Sequence, residues 1–470
     1  MKSNRREFLK KSLYGGLALG VTGSYAGAAQ RMNSGTEPGK TSADKRPRKG
    51  KTTMGLRCAP LSEVRIAVIG LGARGGGTVS RLSQIDGTRI VALCDLRNDR
   101  VESSRETIRK LGRPDAATYT GEEDWKKVCE RDDIDLIYNT TPWELHVPIA
   151  LYAMKHGKHT VVEVPAAHTV NDCWALVDTA EEMQRHCMML ENCCYDFFEL
   201  ATLNMARQGL FGEIYHGEGA YIHDLRSYKH NKNGYYKMWR LEHSKLHTGD
   251  PYPTHGLGPI AQIMGINRGD RFDYLTSMST NQYGLTLYAE NTFGKDSPEA
   301  KATYKLGDMN NTLIRTVNGH TLLVVHDTTS PRPYDRIHKI SGTKGFAVKY
   351  PEEKIALDPH AHEFLKPEEF KALMAQYEHP LSRYIGEKAK AVGGHGGMDY
   401  IMDWRLIYCL RNGLPPDQDV YDAATWSCIT ELSEQSLENR SNPVDVPDFT
   451  RGAWKEAKPW PVVDMETVFC

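Results

Sequence analysis

Gly70-Leu71-Gly72-Ala73-Arg74-Gly75 is the stretch whose residue types and spacing are best suited to chemistry. It follows a short apolar run and opens a segment of helical character. In a nucleotide-binding turn each glycine has a task. Gly70 permits the tight turn, Gly72 lets backbone approach a pyrophosphate, and Gly75 lets helix and strand pack closely. The helix N-terminus beyond them offers unpaired N–H groups to an anion. Asp95 closes the next apolar run, about twenty residues on, where a carboxylate reaches the adenosine ribose hydroxyls. A carboxylate there repels a 2′-phosphate, so NAD is expected rather than NADP. His360 and His362 have metal-like spacing, but no further ligand cluster accompanies them, so no metal site is expected. The vicinal Cys193-Cys194 reads as packing rather than redox chemistry.

The elements that must hold this turn are legible around it. Apolar runs at residues 64–70, 88–95, 135–142, 158–165 and 186–193 alternate with helical stretches at 98–111, 144–156 and 169–185. Apolar strands alternating with amphipathic helices specify a parallel sheet covered on both faces, a Rossmann domain over residues 63–192. Beyond it the texture changes to alternating runs at 213–224, 274–284, 320–329 and 338–350. These predict a second α/β domain, residues 193–470, with a large, open, mostly antiparallel sheet and C-terminal helices over 400–438.

Composition narrows the partners. The chain has 470 residues, 40% hydrophobic and 25% charged, with a formal net charge of -1. No electrostatic footprint for nucleic acid or an anionic membrane surface is present. Ten cysteines occur without a Cys-x-x-Cys pair or a disulfide-like rhythm. At the start, Asn4-Arg5-Arg6-Glu7-Phe8-Leu9-Lys10-Lys11 precedes a glycine-rich, weakly apolar run that ends in Ala26-Gly27-Ala28. Basic region, apolar region and small-residue exit, in that order, predict a twin-arginine export leader over residues 1–28 and a periplasmic protein. The run is too short and glycine-rich for a membrane span. Residues 29–62 read as a linker, disordered or laid over the surface. A homo-oligomer is an open expectation.

The layout resembles the oxidoreductase family typified by glucose–fructose oxidoreductase and inositol dehydrogenase, with a Rossmann domain followed by an open-faced α/β domain. Most members end the fifth strand in Glu-Lys-Pro, the lysine working near the substrate; here the stretch is Glu163-Val164-Pro165. A closer resemblance, over nearly all of the chain after the linker, is to glycoside hydrolase family 109, NAD-dependent α-N-acetylgalactosaminidases. It is carried by the glycine loop, TTPWELH at 140–146, EVPAAHT at 163–169, ENCCY at 191–195, GEGAYIHDLR at 217–226, Trp239-Arg240, YPTHGLGP at 252–259 and GGHGGMD at 393–399.

The resemblance implies that Trp143, Glu144, Leu145, His146, Glu163, Val164 and Asn192 line the dinucleotide. It implies Tyr221, Arg240, Tyr252 and Tyr334 against the sugar, with His255 at a sugar hydroxyl. The wider family often keeps an aspartate four residues before that histidine; here Pro251 occupies the position, and Asp250 would point differently. Each residue also has a structural alternative. Tyr221 could be sheet packing, Arg240 a surface ion pair, Trp143 and Tyr195 core residues, and His255 the cap of a helix entry.

Export and dinucleotide together constrain the reaction. Outside the cytoplasm no nicotinamide pool recycles the cofactor, so NAD must travel bound and be restored at every turnover. One chemistry passes hydride between two sugars. The other oxidises the sugar at C3, eliminates the C1 substituent after loss of the C2 proton, adds water and reduces C3 again. The expected activity is the second, on a glycan ending in N-acetylgalactosamine. His255 is the expected base at the 3-OH, and Tyr252 or Tyr195 the expected group for C2 deprotonation or leaving-group protonation.

Overall fold

The first sheet is fully parallel. In the computed structural model, which describes residues 46–462, its strands are β1 (Val64–Ile69), β2 (Thr88–Cys94), β3 (Ala117–Tyr119), β4 (Leu136–Asn139), β5 (His159–Val162) and β6 (Cys187–Met189). They lie in the order β3-β2-β1-β4-β5-β6. Every pairing is parallel. Val64, Ile66, Ala67 and Val68 are fully buried, because helices cover both faces. The strand order reverses between β1 and β4, which opens a crevice at their C-terminal ends.

The second sheet has eight strands: β7 (Ile214–Ile222), β8 (Phe272–Ser279), β9 (Asn310–Thr316), β10 (Thr321–Asp327), β11 (Lys339–Gly342), β12 (Gly345–Val348), β13 (Lys354–Leu357) and β14 (Val444–Asp445). Their order is β13-β12-β11-β7-β10-β9-β8-β14. Only β7 and β10 pair in parallel, which sets Tyr221 beside His326. The expected architecture is therefore present: a Rossmann domain plus a mixed, mostly antiparallel sheet.

Two packing details position the site. The helix Thr254–Ile263 lies directly on β7. A Cβ at Gly219 would fall 2.0 Å from the Gly256 carbonyl oxygen, and one at Gly256 would fall 2.2 Å from the Ala220 nitrogen. Only glycine at both positions lets backbone meet backbone and brings His255 onto the sheet. The helix Met398–Asn412 returns to the Rossmann domain, where Asp403 accepts hydrogen bonds from Arg81 Nε (2.8 Å) and Tyr138 Oη (2.6 Å).

The second half of the expected linker is pinned. Arg48 Nη1 donates to Glu181 at 2.8 Å, the Thr53 amide donates to Tyr421 Oη, and the Leu61 amide donates to the Leu410 carbonyl. The expected export leader lies outside the described residues. Among the described residues no helix is long and apolar enough to cross a membrane.

Candidate active site

The glycine loop has the geometry its residues demand. Gly70 has φ +87°, and a Cβ there would fall 2.8 Å from the Thr140 carbonyl. A Cβ on Gly75 would fall 1.9 Å from the Gly70 oxygen. Gly72 faces open space and is the N-cap of the helix Ala73–Leu82, with no side chain capping it. The first-turn N–H groups are thus left for an anionic ligand. Asp95 is locked at the C-terminal end of β2: Oδ2 accepts the Leu71 amide at 2.6 Å and Oδ1 the Arg97 amide at 2.8 Å. Each oxygen keeps a lone pair for a ribose hydroxyl. An open glycine, an uncapped helix start and a fixed carboxylate together fit a dinucleotide.

Deeper in the crevice the polar groups bind one another. Arg74 Nε donates to Glu163 Oε1 at 2.9 Å, and Arg74 Nη1 to Asp399 Oδ2 at 3.2 Å. Asn192 Nδ2 donates to the other Asp399 oxygen at 2.6 Å. Burial would push Asp399 up, but the His395 hydrogen bond and the charges of Arg74 and Arg81 hold it far below the usual carboxylate range. Two residues expected at the dinucleotide, Arg74 and Asn192, thus meet on Asp399, and Glu163 joins them through Arg74; the sequence places Asp399 in a quoted motif without a role.

The other expected cofactor residues sit on the turn after β4. Trp143 Nε1 donates to the Val164 carbonyl at 3.2 Å. Glu144 is exposed on a 3₁₀ turn, and Leu145 packs on the Rossmann core. His146 is consumed by the fold: its Nδ1 lies 2.8 Å from the Pro165 carbonyl and its Nε2 2.9 Å from that of Thr141. Burial lowers its pKa, against the pull of those two carbonyls.

Trp143 joins the crevice to an aromatic wall. Its ring meets Trp239 at 4.3 Å and Tyr252 at 6.1 Å. The Arg240 guanidinium lies over Tyr252 (4.6 Å), Tyr235 (4.7 Å), Trp239 (5.0 Å) and Trp143 (5.2 Å), and its Nε is buried without a partner. Arg240 is therefore caged by aromatic faces rather than engaged in a surface ion pair. Tyr221 packs on Tyr252 at 4.4 Å, and His255 stands edge-on to both, at 5.4 and 4.9 Å. His223, 5.2 Å from Tyr334, continues the row to the rim. Burial pushes Tyr252 well above its ordinary value and Tyr221 to about 12, despite Arg240, so both phenols are protonated near neutrality.

His255 Nδ1 lies 2.6 Å from Glu191 Oε1. Glu191 is fully buried where the chain leaves β6; burial would raise it, and His255 holds it below its ordinary value. The carboxylate absent at Pro251 is thus supplied from 64 residues upstream. Asp250 does point elsewhere, accepting the Tyr252 amide at 2.8 Å, and burial pushes it up to about 7.

Tyr195 lies apart from this row. It lies beside Asp417 and Arg405, lining a cavity with Arg207, Gln262 and Arg268. That cavity reaches Gly265, beyond the other end of the Thr254–Ile263 helix, roughly 15 Å from His255 at helical rise. On the turn Asn192–Tyr195 it is buried against the Met398–Asn412 and Thr254–Ile263 helices, and the structure does not bring it into the row of Tyr221, Tyr252 and His255.

This two-domain scaffold, with a glycine-loop crevice opening on a histidine–aromatic wall, is that of the NAD-binding oxidoreductases: residues 64–191 match the oxidoreductase family with an NAD-binding Rossmann fold. Residues 195–456 match the C-terminal domain of glycosyl hydrolase 109, and the chain belongs to that family. It is 55% identical to an α-N-acetylgalactosaminidase of Bacteroides fragilis over 406 residues, 86% of this chain and 96% of the relative. It is 50% identical to a glycosyl hydrolase family 109 protein of Porphyromonas gingivalis over 94% of this chain and 96% of that protein. Among solved structures, an aldose–aldose oxidoreductase from Caulobacter crescentus superposes with a TM-score of 0.58 at 16% identity, covering 82% of this chain and all of that one. A levoglucosan dehydrogenase in complex with NADH gives 0.61 at 18%, also covering 82% of this chain and all of that one. These two share the fold. The protein is a glycoside hydrolase built on an NAD-binding scaffold.

Proposed function

We propose that the protein is a periplasmic α-N-acetylgalactosaminidase that keeps NAD bound and returns it to its starting state in every turnover. The substrate class rests on the 55% identical Bacteroides fragilis enzyme. The observation that carries the mechanism is the convergence of His255, Tyr252, Tyr221 and Arg240 beside Trp143 at the mouth of the dinucleotide crevice. Bound NAD⁺ would supply a reversible oxidation at C3 of the sugar, which acidifies the C2 hydrogen and lets the C1 aglycone leave by elimination. No carboxylate pair at glycosidase separation is required.

The chain's own residues place the sugar and move protons. His255 accepts the proton of the 3-OH. Tyr252, protonated near neutrality, donates to the departing oxygen, and the phenolate so formed takes up the proton lost from C2. Arg240, held flat between rings, offers its unpartnered Nε–H to sugar oxygens. Asp95 and the loop from Gly70 to Gly75 hold the dinucleotide.

The test is hydrolysis of p-nitrophenyl α-N-acetylgalactosaminide by purified protein without added NAD. Release of nitrophenol supports the reading. No release from protein shown to contain dinucleotide would overturn the substrate assignment.

A further inference from the structure

We propose that Glu191 is the positioning residue of the catalytic histidine, so that the base is assembled across the junction of the two domains. Glu191 follows the last Rossmann strand, whereas His255 opens the helix laid on β7. Their 2.6 Å contact is buried on the carboxylate side and nearly buried on the imidazole side. A carboxylate accepts only, so His255 Nδ1 carries the proton and donates it. Nε2 then keeps its lone pair and is the atom able to take a proton from a sugar hydroxyl. When it does, the adjacent carboxylate stabilises the imidazolium. This is the task an aspartate performs in a Ser-His-Asp triad, where the acid fixes tautomer and orientation without itself taking the proton. The turn in which Glu191 sits is braced through its backbone, since Gln418 Nε2 donates to the Glu191 carbonyl at 3.0 Å, while the Cys193 amide donates to Oε1 itself at 3.1 Å.

A purely structural role for Glu191 is the competing explanation, since the same oxygen caps the Cys193 amide. The substitution that separates the two is Glu191→Gln, which keeps an acceptor for that amide and removes the charge. The expected result is a kcat roughly 10²–10⁴-fold lower, a KM within about threefold of the parent, and unchanged bound NAD and Tm. Adding Glu191→Gln to His255→Ala costs no more than His255→Ala alone, since the two act as a unit.

The inference rests on His255 being the base of the proposed reaction, so one measurement is independent of turnover. In the wild-type protein the hydrogen-bonded Nδ1 proton gives a downfield imidazole resonance, lost in both Glu191→Gln and His255→Ala. Absence of cleavage by the wild type, with the resonance present, counts against the proposed function and leaves the dyad standing. Wild-type cleavage with a Glu191→Gln rate within threefold of the parent, or additive losses in the double variant, overturns the dyad. Loss of bound NAD or of Tm in Glu191→Gln assigns the residue to the turn and overturns it equally.

Discussion

The dinucleotide crevice and the sugar wall meet at Trp143, yet they are built on opposite principles. In the crevice the polar groups are spent on one another: Arg74, Glu163, Asn192 and Asp399 form a closed network, and Asp95 is fixed by two amides. The sugar wall is aromatic, and buried polar atoms on it stand without partners, Arg240 Nε and His223 Nε2 among them. A group bonded to its neighbours is rigid before a ligand arrives, while an unpartnered one is costly until a ligand satisfies it. The first design suits a cofactor that stays; the second suits a substrate that comes and goes.

That contrast predicts which variants lose chemistry and which lose cofactor. The largest effect is expected at the wall: His255→Ala lowers kcat roughly 10²–10⁴-fold while bound NAD, assayed after denaturation, stays stoichiometric. Simultaneous loss of NAD would erase the distinction between the two regions. Asp250→Asn is a stability test beneath the wall. Burial raises the Asp250 pKa to about 7, so its stabilising contribution is complete below its ordinary value near 3.8 and lost as pH rises through 7. At pH 8 the neutral amide should gain up to about 4 kcal/mol over the wild type, and at pH 4 almost nothing. Melting curves at the two pH values check the sign.

Arg240→Lys should cost about 1.5–3 kcal/mol in kcat/KM, because a compact ammonium does not reproduce a planar fork lying between four rings. Recovery of wild-type kinetics by lysine would reduce Arg240 to a bare charge. At the crevice, Asp95→Ala should accelerate dinucleotide loss roughly tenfold, as one charge-assisted acceptor is removed. Its activity should return when NAD is added. Failure of added NAD to restore activity would place Asp95 in the fold rather than at the cofactor.

The same contrast explains what was legible in the sequence. The glycine loop and Asp95 could be read because their constraints are local: a positive φ at Gly70, a helix start at Ala73, a strand end beside them. The residue types of the wall came from motif resemblance, but their partners did not. Glu191 lies in the quoted run ENCCY, whose five residues have three destinations: Glu191 reaches His255, Asn192 reaches Asp399, and Tyr195 turns to a separate cavity. Nothing in the spacing of five adjacent residues separates those fates; tertiary packing does. Strand β9 escaped notice for a related reason. On the open face of the sheet it exposes Leu313 and Arg315, which blurs the alternation that marks a half-buried strand.

The central claim is that cleavage proceeds through loss of the C2 proton rather than direct displacement at C1, and hydrolysis in D₂O addresses it. The wild-type protein should release N-acetylgalactosamine carrying deuterium at C2, detected by the collapse of the C2 proton signal in the product spectrum. Released sugar with its C2 proton fully retained from the substrate would contradict the account.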